Sequence, residues 1–169
     1  FDLYGAVAKC EHLCEKFGGH KYAAGLSIKK ENLPQFIDAF EKVVSESIAE
    51  DQLTPKINID MVIDINDADD KLYRIIKQFA PFGPKNLSPI FVSKGVIDSG
   101  YGKQVGGDKT HLRINAKRNK GAIAGIGFGM GEYFEIIKDN QSFDVCYSID
   151  ENEWNGKKSL QLRVRDIKK

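Results

Sequence analysis

The stretch that decides the fold reads Thr110-His111-Leu112-Arg113-Ile114-Asn115-Ala116-Lys117. Apolar residues at 112, 114 and 116 alternate with polar residues at 111, 113 and 115, which is the period of a strand that buries one face. The apolar side chains are expected to face a core and the polar ones to face solvent. This segment therefore predicts a half-buried β-strand with a basic outer face.

More strands follow on both sides of this stretch. The predicted strands span residues 90–98, 110–117, 122–130, 143–149 and 159–167, with a helix over 131–138. Five strands with a helix between the third and the fourth match the order of an OB-fold, a small Greek-key barrel. Gly125, Gly127 and Gly129 alternate on the third strand, which favours strong barrel curvature over close approach of a ligand.

The residues before this barrel predict a smaller mixed region. Apolar spacing and turn residues predict a helix over 3–16 that ends at Gly18 and Gly19, a strand over 23–28, a helix over 32–48, a strand over 57–65 and a helix from Asp69 to Pro81. The long helix should bury its apolar stripe against a sheet or another helix. Composition and periodicity change near residue 84, so the sequence predicts an α+β protein with domains 1–84 and 85–169.

Composition limits the class of protein. The chain has 169 residues, 41% of them hydrophobic, which fits one large or two small globular domains. It shows no secretory signal and no apolar run long enough for a membrane span. Three cysteines, an odd number, argue against a disulfide framework and favour buried thiols in a reducing compartment. Because Phe1 rather than Met comes first, we expect a piece of a longer protein.

The net charge of +1 hides an asymmetry between the two predicted domains. Residues 1–84 carry 10 Lys and Arg against 14 Asp and Glu, a balance of −4. Residues 85–169 carry 15 against 10, a balance of +5. A polyanionic partner is therefore expected on the second domain.

One short motif in the first domain suits an anion. It reads Phe17-Gly18-Gly19-His20-Lys21-Tyr22-Ala23-Ala24-Gly25. Paired glycines allow a positive φ and close approach of another group, and exposed N–H groups there would hold a phosphate. An ordinary turn with an exposed His20 explains the same residues, and spacing alone does not choose between the two.

Cations and aromatic residues of the second domain predict a nucleic-acid surface. The candidates are Tyr101, Lys103, Lys109, His111, Arg113, Lys117, Arg118, Lys120 and Trp154. Cations would neutralise phosphates, and the two aromatic side chains, in polar loops, would stack bases. Phe128 and Tyr147 alternate like core residues and are interpreted as core. Arg163 and Arg165 face outward on the last strand and either extend the basic surface or only keep it solvated.

The acidic residues predict no catalytic centre and no metal site. Asp64, Asp67, Asp69 and Asp70 form an acidic run whose charge would attract a divalent ion, but helix capping and solvation explain most of these residues and no nearby His completes a metal set. No Asp-His-His triplet, P-loop or serine nucleophile elbow occurs.

Four segments resemble the C-terminal part of the RecJ family, in the DHH phosphoesterase superfamily. They are Phe1-Asp2-Leu3-Tyr4-Gly5-Ala6, the motif at 17–25, Pro81-Phe82-Gly83-Pro84 and Leu160-Gln161-Leu162. The resemblance implies a partial DHHA1-type domain over 1–84 followed by an OB-fold over 85–169. It also implies that Gly18, Gly19, His20, Ala24 and Gly25 bind substrate phosphate.

The resemblance further implies the activity of a parent protein. Members of this family cut single-stranded DNA from the 5′ end with Mn²⁺ or Mg²⁺ held by a DHH domain. That domain would precede Phe1, so this chain alone is expected to be inactive and to hold no metal. The implied partners are single-stranded DNA and repair proteins in the bacterial cytoplasm. Two alternatives remain open: a protein-docking OB module, and part of a phosphodiesterase for short oligonucleotides or cyclic dinucleotides.

Overall fold

The computed structural model describes residues 1–169, which divide into two compact units, Phe1–Ile57 and Asn58–Lys169. The sequence placed the boundary near residue 84, and the two positions differ by the segment 58–84. This segment belongs to the second unit because Ile65 and Ile76 are buried in the core of that unit. The amino-acid composition changes near residue 84, whereas the boundary between the two packed units lies between Ile57 and Asn58.

The first unit contains two helices and a hairpin. Helix α1 spans Leu3–Ala8, strands β1 and β2 span Lys16–His20 and Ala23–Ser27, and helix α2 spans Leu33–Ser47. The helix predicted over 3–16 is therefore wrong after Ala8. Gly18 and Gly19 do not end a helix. They lie in β1, which pairs antiparallel with β2.

The hairpin brings the two halves of the glycine-rich motif together. Gly18 lies opposite Gly25 and Gly19 opposite Ala24, with Lys21 and Tyr22 in the turn. Gly19 has φ +140°, and a Cβ there would lie 2.2 Å from the Ala23 carbonyl oxygen. Only glycine fits this position.

Helix α2 starts where the sequence predicted but is covered less than expected. Asn32 stands at its N-cap position, yet its side chain donates a hydrogen bond to the Leu13 carbonyl instead of capping the helix. No residue of α2 is fully buried, and Ile37 is 57% exposed. The apolar stripe is therefore only half-buried: Phe36, Phe40, Val43 and Val44 are partly covered, whereas full burial was expected. The fully buried apolar residues of the first unit are Ala6, Val7 and Cys10.

The second unit is mainly β. Its strands are β3 (Met61–Val62), β4 (Phe91–Asp98), β5 (Lys103–Val105), β6 (His111–Lys117), β7 (Ala122–Gly127), β8 (Phe143–Trp154) and β9 (Lys157–Lys168). Helix α3 spans Asp70–Lys77, with the Asp69 carboxylate accepting the Leu72 N–H at its N-cap. A short helix α4 spans Phe134–Ile137, between β7 and β8.

Strand pairing gives the topology that the sequence predicted. β4 pairs with β6 and β8, β6 pairs with β7, and β9 joins β7 to β8. The pairings thus run in a ring of five strands, with β7 and β9 parallel and the other pairs antiparallel. With α4 between the third and fourth strands of the ring, this is an OB-fold. The α+β class is confirmed as well.

Two strands differ most from the prediction, and two others differ at one end: β7 stops at Gly127 instead of 130, and β8 continues to Trp154 instead of 149. The strand expected over 57–65 is only the two-residue β3, parallel to β4, and Ile59 is 51% exposed. Strand β5 was not predicted. It lies in a glycine-rich segment that is too short to show alternation.

The core is built from inward-facing residues of the ring. Leu112, Ile114 and Ala116 of β6 are fully buried, as their alternation predicted. Tyr147 is also buried, and its hydroxyl lies 2.7 Å from the hydroxyl of Ser93, which donates to the Ile63 carbonyl. Burial raises the pKa of Tyr147 to about 12.

No helix in the chain is both long enough and apolar enough to cross a membrane.

Candidate nucleic-acid interface

A groove lies on the outer face of β5, β6 and β7. Its volume is about 520 Å³, and it is lined by Gly100, Tyr101, Gly102, Lys103, Arg113, Asn115 and Ala124. Tyr101 is 75% exposed, and Lys103 lies directly opposite Arg113 in the β5–β6 register. Neither cation forms an ion pair, so both keep their charge available to an anionic ligand.

A buried carboxylate fixes the backbone that lines one side of this groove. Asp98, at the end of β4, is 5% exposed. One of its oxygens accepts the N–H groups of Gly100 and Gly102 at 2.8 Å, and the other accepts the N–H of Asn115 at 2.7 Å. The carboxylate thus folds the backbone on both sides of Tyr101 and ties it to β6. Charge-assisted bonds of this kind are among the stronger ones in proteins.

Phe128 extends the same face, contrary to the core assignment from sequence. The residue directly follows β7, and its ring is 58% exposed. A signal for this was present in the glycine alternation. A Cβ on Gly125 would lie 2.8 Å from Ile114, and one on Gly127 would lie 2.7 Å from Met130, so these glycines face inward. Residues 124, 126 and 128 must then face outward.

The other predicted side chains lie apart from the groove lining. Lys109 is in the turn before β6, and Lys120 lines a separate concavity of about 260 Å³ beside Ile65. Lys117 lies on the outer face of β6, paired with Ala122. Trp154 ends β8 at the tip of the β8–β9 hairpin and is 73% exposed. Their roles stay predictions.

Arg118 has a protein partner. Its guanidinium donates to the Asp64 carboxylate at 3.2 Å. The Asn66 N–H bonds the same carboxylate, and together these partners, Asn66 first, hold the pKa of Asp64 below its usual range. A phosphate would have to compete with Asp64 for Arg118.

His111 serves the fold of this face directly. Its Nδ1 accepts the N–H of Gly129 at 3.0 Å, so the proton of the neutral ring lies on Nε2. Its ring also meets the Phe128 ring edge to face, with centroids 5.3 Å apart. His111 therefore fixes the turn that carries Phe128.

His20 in the first unit is exposed and oriented by its own hairpin. Its Nδ1 accepts the Tyr22 N–H at 3.2 Å, which leaves Nε2 as a free donor. Gly18 and Gly25 have open space where side chains would stand. This geometry admits an anion next to the hairpin. The phosphate assignment of these residues stays a prediction.

The residues of this chain do not fit a divalent metal. No group of three or more His, Cys, Asp or Glu side chains is arranged to hold an ion. In the acidic run Asp64 accepts from Asn66 and Arg118, and Asp69 caps α3. The capping interpretation is confirmed for both, and no metal-dependent step is assigned to these residues.

Two families match the chain in sequence. The DHHA1 domain matches residues 1–46, and the RecJ OB domain matches residues 59–166, well over half of the chain. The chain belongs to the RecJ family. The resemblance found in the four sequence segments is thereby confirmed.

Curated relatives and solved structures agree with this membership. The single-stranded-DNA-specific exonuclease RecJ of Bacillus subtilis is 26% identical over 167 residues, covering 98% of this chain and 21% of the relative. The RecJ of Haemophilus influenzae is 28% identical over 152 residues, covering 88% and 26%. RecJ of Thermus thermophilus in complex with Mn²⁺ superimposes with a TM-score of 0.70 at 20% identity, over 98% of this chain and 23% of that one.

The matched part is a minor share of each relative. The chain spans about a fifth to a quarter of their length. The fold of RecJ proteins is therefore shared over these residues, whereas the activity named for the relatives belongs to the much longer proteins. A second structure of the Thermus protein holds Mg²⁺ instead of Mn²⁺.

Proposed function

We propose that this chain is the C-terminal substrate-binding region of a RecJ-like exonuclease and that its groove binds single-stranded DNA. The observation that carries the proposal is the groove, in which the exposed ring of Tyr101 stands beside the unpaired cations Lys103 and Arg113. Aromatic faces stack bases of any sequence, and cations neutralise phosphates. In OB-folds generally this sheet face binds oligonucleotides.

For the whole protein we propose 5′→3′ hydrolysis of single-stranded DNA in repair and recombination, in the bacterial cytoplasm. The names of the relatives support the substrate, and the three free cysteines suit a reducing compartment. Mn²⁺ or Mg²⁺ chemistry would come from a DHH domain outside these residues. Within them, Nε2 of His20 would donate to a substrate phosphate beside Gly18 and Gly19, with Ala24 and Gly25 leaving room for it.

The binding proposal is tested by fluorescence anisotropy of a labelled oligothymidylate. The logarithm of affinity should fall linearly with the logarithm of salt concentration, by about 0.7 for each phosphate contacted on a single strand. Replacing both groove cations, Lys103→Gln with Arg113→Gln, should weaken binding and reduce that slope by about 1.4, the share of two phosphates.

The matched control is Lys94→Gln, an exposed lysine on β4 outside the groove lining. It should leave affinity and slope nearly unchanged. Equal losses in the control and in the double variant would show that the groove is not the site. If the unaltered chain showed no salt-sensitive binding at all, the protein-docking alternative would replace this proposal.

A further inference from the structure

Phe128 is an exposed aromatic ring on a fixed backbone. The turn after β7 is fixed by the Gly129 N–H on His111 Nδ1 and by the Gly131 N–H on the Thr110 carbonyl at 2.8 Å. Gln104 adds a bond from its side-chain amide to the Gly131 carbonyl at 2.9 Å. The ring therefore stays at the surface without the mobility of a loop tip, and binding to it would require little ordering.

A cation packs against the ring of Phe128. The guanidinium carbon of Arg163, on β9, lies 5.6 Å from the centroid of Phe128, within cation–π range. Arg163 forms no ion pair, and the His111 ring that meets the edge of Phe128 is held by the Gly129 N–H at its Nδ1. An apolar face and an unpaired guanidinium side by side match a base and its phosphate.

The register places this pair next to the groove. Ile126 of β7 lies opposite Arg113 on β6 and opposite Arg163 on β9. Phe128 comes directly after β7, whose extended backbone from Ala124 of the groove lining to Gly127 spans about 10 Å. A single strand lying along this face would thus reach both places.

We infer that Phe128 and Arg163 form a second subsite for single-stranded DNA, in which Phe128 stacks a base and Arg163 contacts the adjoining phosphate. The inference rests on the proposed function and extends it beyond the groove at Tyr101. It also assigns Arg163 to binding, whereas the sequence left it equally suited to a solvated surface.

A fluorescence experiment tests the stacking step. Trp154 is the only tryptophan, so Trp154→Phe gives a tryptophan-free background whose affinity is measured first. In that background Phe128→Trp should lose emission when an oligothymidylate of about 16 nucleotides, the upper end of OB site sizes, is added. Phe79→Trp is the matched control, because Phe79 is 62% exposed in the same unit. It should show no such quenching.

Affinity provides the second readout. Phe128→Ala and Phe128→Leu should each weaken binding of the same oligonucleotide about ten-fold. Phe128→Tyr should bind with the affinity of the unaltered chain, because stacking needs an aromatic face. Arg163→Gln should weaken binding and lower the salt slope by about 0.7.

The outcomes separate the two proposals. Binding that depends on Arg113 but is unchanged by Phe128→Ala, with no quenching of Phe128→Trp, would overturn this subsite and leave the groove in place. Similar quenching of Phe128→Trp and Phe79→Trp would also overturn it. Absence of any binding by the unaltered chain would refute the proposed function itself.

Discussion

Gly18 and Gly19 are neighbours in the motif but meet different constraints. Gly19 has φ +140°, and a Cβ on it would collide with Ala23 and Ala24, whereas a Cβ on Gly18 would meet nothing within 4 Å. The sequence shows two equivalent glycines. Only the hairpin register shows that one of them is required by the backbone and the other leaves space beside the strand.

The pair gives a test at the level of single residues. Gly19→Ala should destabilise the β1–β2 hairpin by at least about 1–3 kcal/mol, because it adds a strained φ to a steric collision. Gly18→Ala should cost far less, since its site is open. Hydrogen exchange of residues 16–27, followed by mass spectrometry, should show faster exchange only in the Gly19 variant. Equal protection in the two variants would contradict the hairpin register.

Among elements, the segment that joins β4 to β5 determines how Tyr101 is presented. Its backbone N–H groups converge on the buried carboxylate of Asp98, so one side chain replaces the regular ladder over Gly100–Gly102. Position 102 requires a glycine, because the Cβ of any other residue would collide with that carboxylate at 2.8 Å. The shape of the groove therefore depends on a residue that does not face it.

Replacing Asp98 should unfold this segment. Asp98→Asn keeps one acceptor oxygen but turns an amide NH₂ toward backbone donors, so we expect a loss of about 1–3 kcal/mol of unfolding free energy. Urea denaturation followed by circular dichroism measures it. Asp108→Asn, an exposed turn residue, is the control and should change little. If both variants lost the same stability, Asp98 would have no special role in the loop.

Elements with long alternation were predictable, and short ones were not. The run from Leu112 to Ala116 fixes a strand because each second side chain must enter the core. The same alternation over 57–65 predicted a strand of which only Met61–Val62 forms, because periodicity does not report whether a partner strand is available. Phe128 was misassigned because Ala124, Ile126 and Phe128 alternate as the apolar phase of this strand, whereas the residues packed against the core are the glycines of the other phase, Gly125 and Gly127.

For the whole molecule, the burial of apolar side chains is unequal between the two units. The first unit fully buries only Ala6, Val7 and Cys10, whereas the second has a continuous core that runs from Ile65 to Ile167. Hydrophobic stabilisation grows with buried apolar area. The first unit should therefore be the less stable of the two.

This difference predicts unfolding in two steps. In urea, residues 1–57 should lose hydrogen-exchange protection at a lower concentration than residues 58–169, with separate midpoints. Exchange measured by mass spectrometry on the intact chain resolves the two regions in one sample. Loss of protection in both regions at a single midpoint would show instead that the chain unfolds as one cooperative unit.

The ring of strand pairings also affects how readily the chain aggregates at high protein concentration. Because β4 pairs on both sides and β9 joins β7 to β8, the terminal strands of the sheet are β3 and β5, which are only two and three residues long. Exposed edges are where foreign strands add to a sheet and start aggregates. Backbone that is free to pair with an incoming chain remains mainly in the β8–β9 hairpin, where residues 150–154 and 157–161 pair only with each other. The charged side chains of Glu151, Glu153, Lys157 and Lys158 line that hairpin and oppose such pairing.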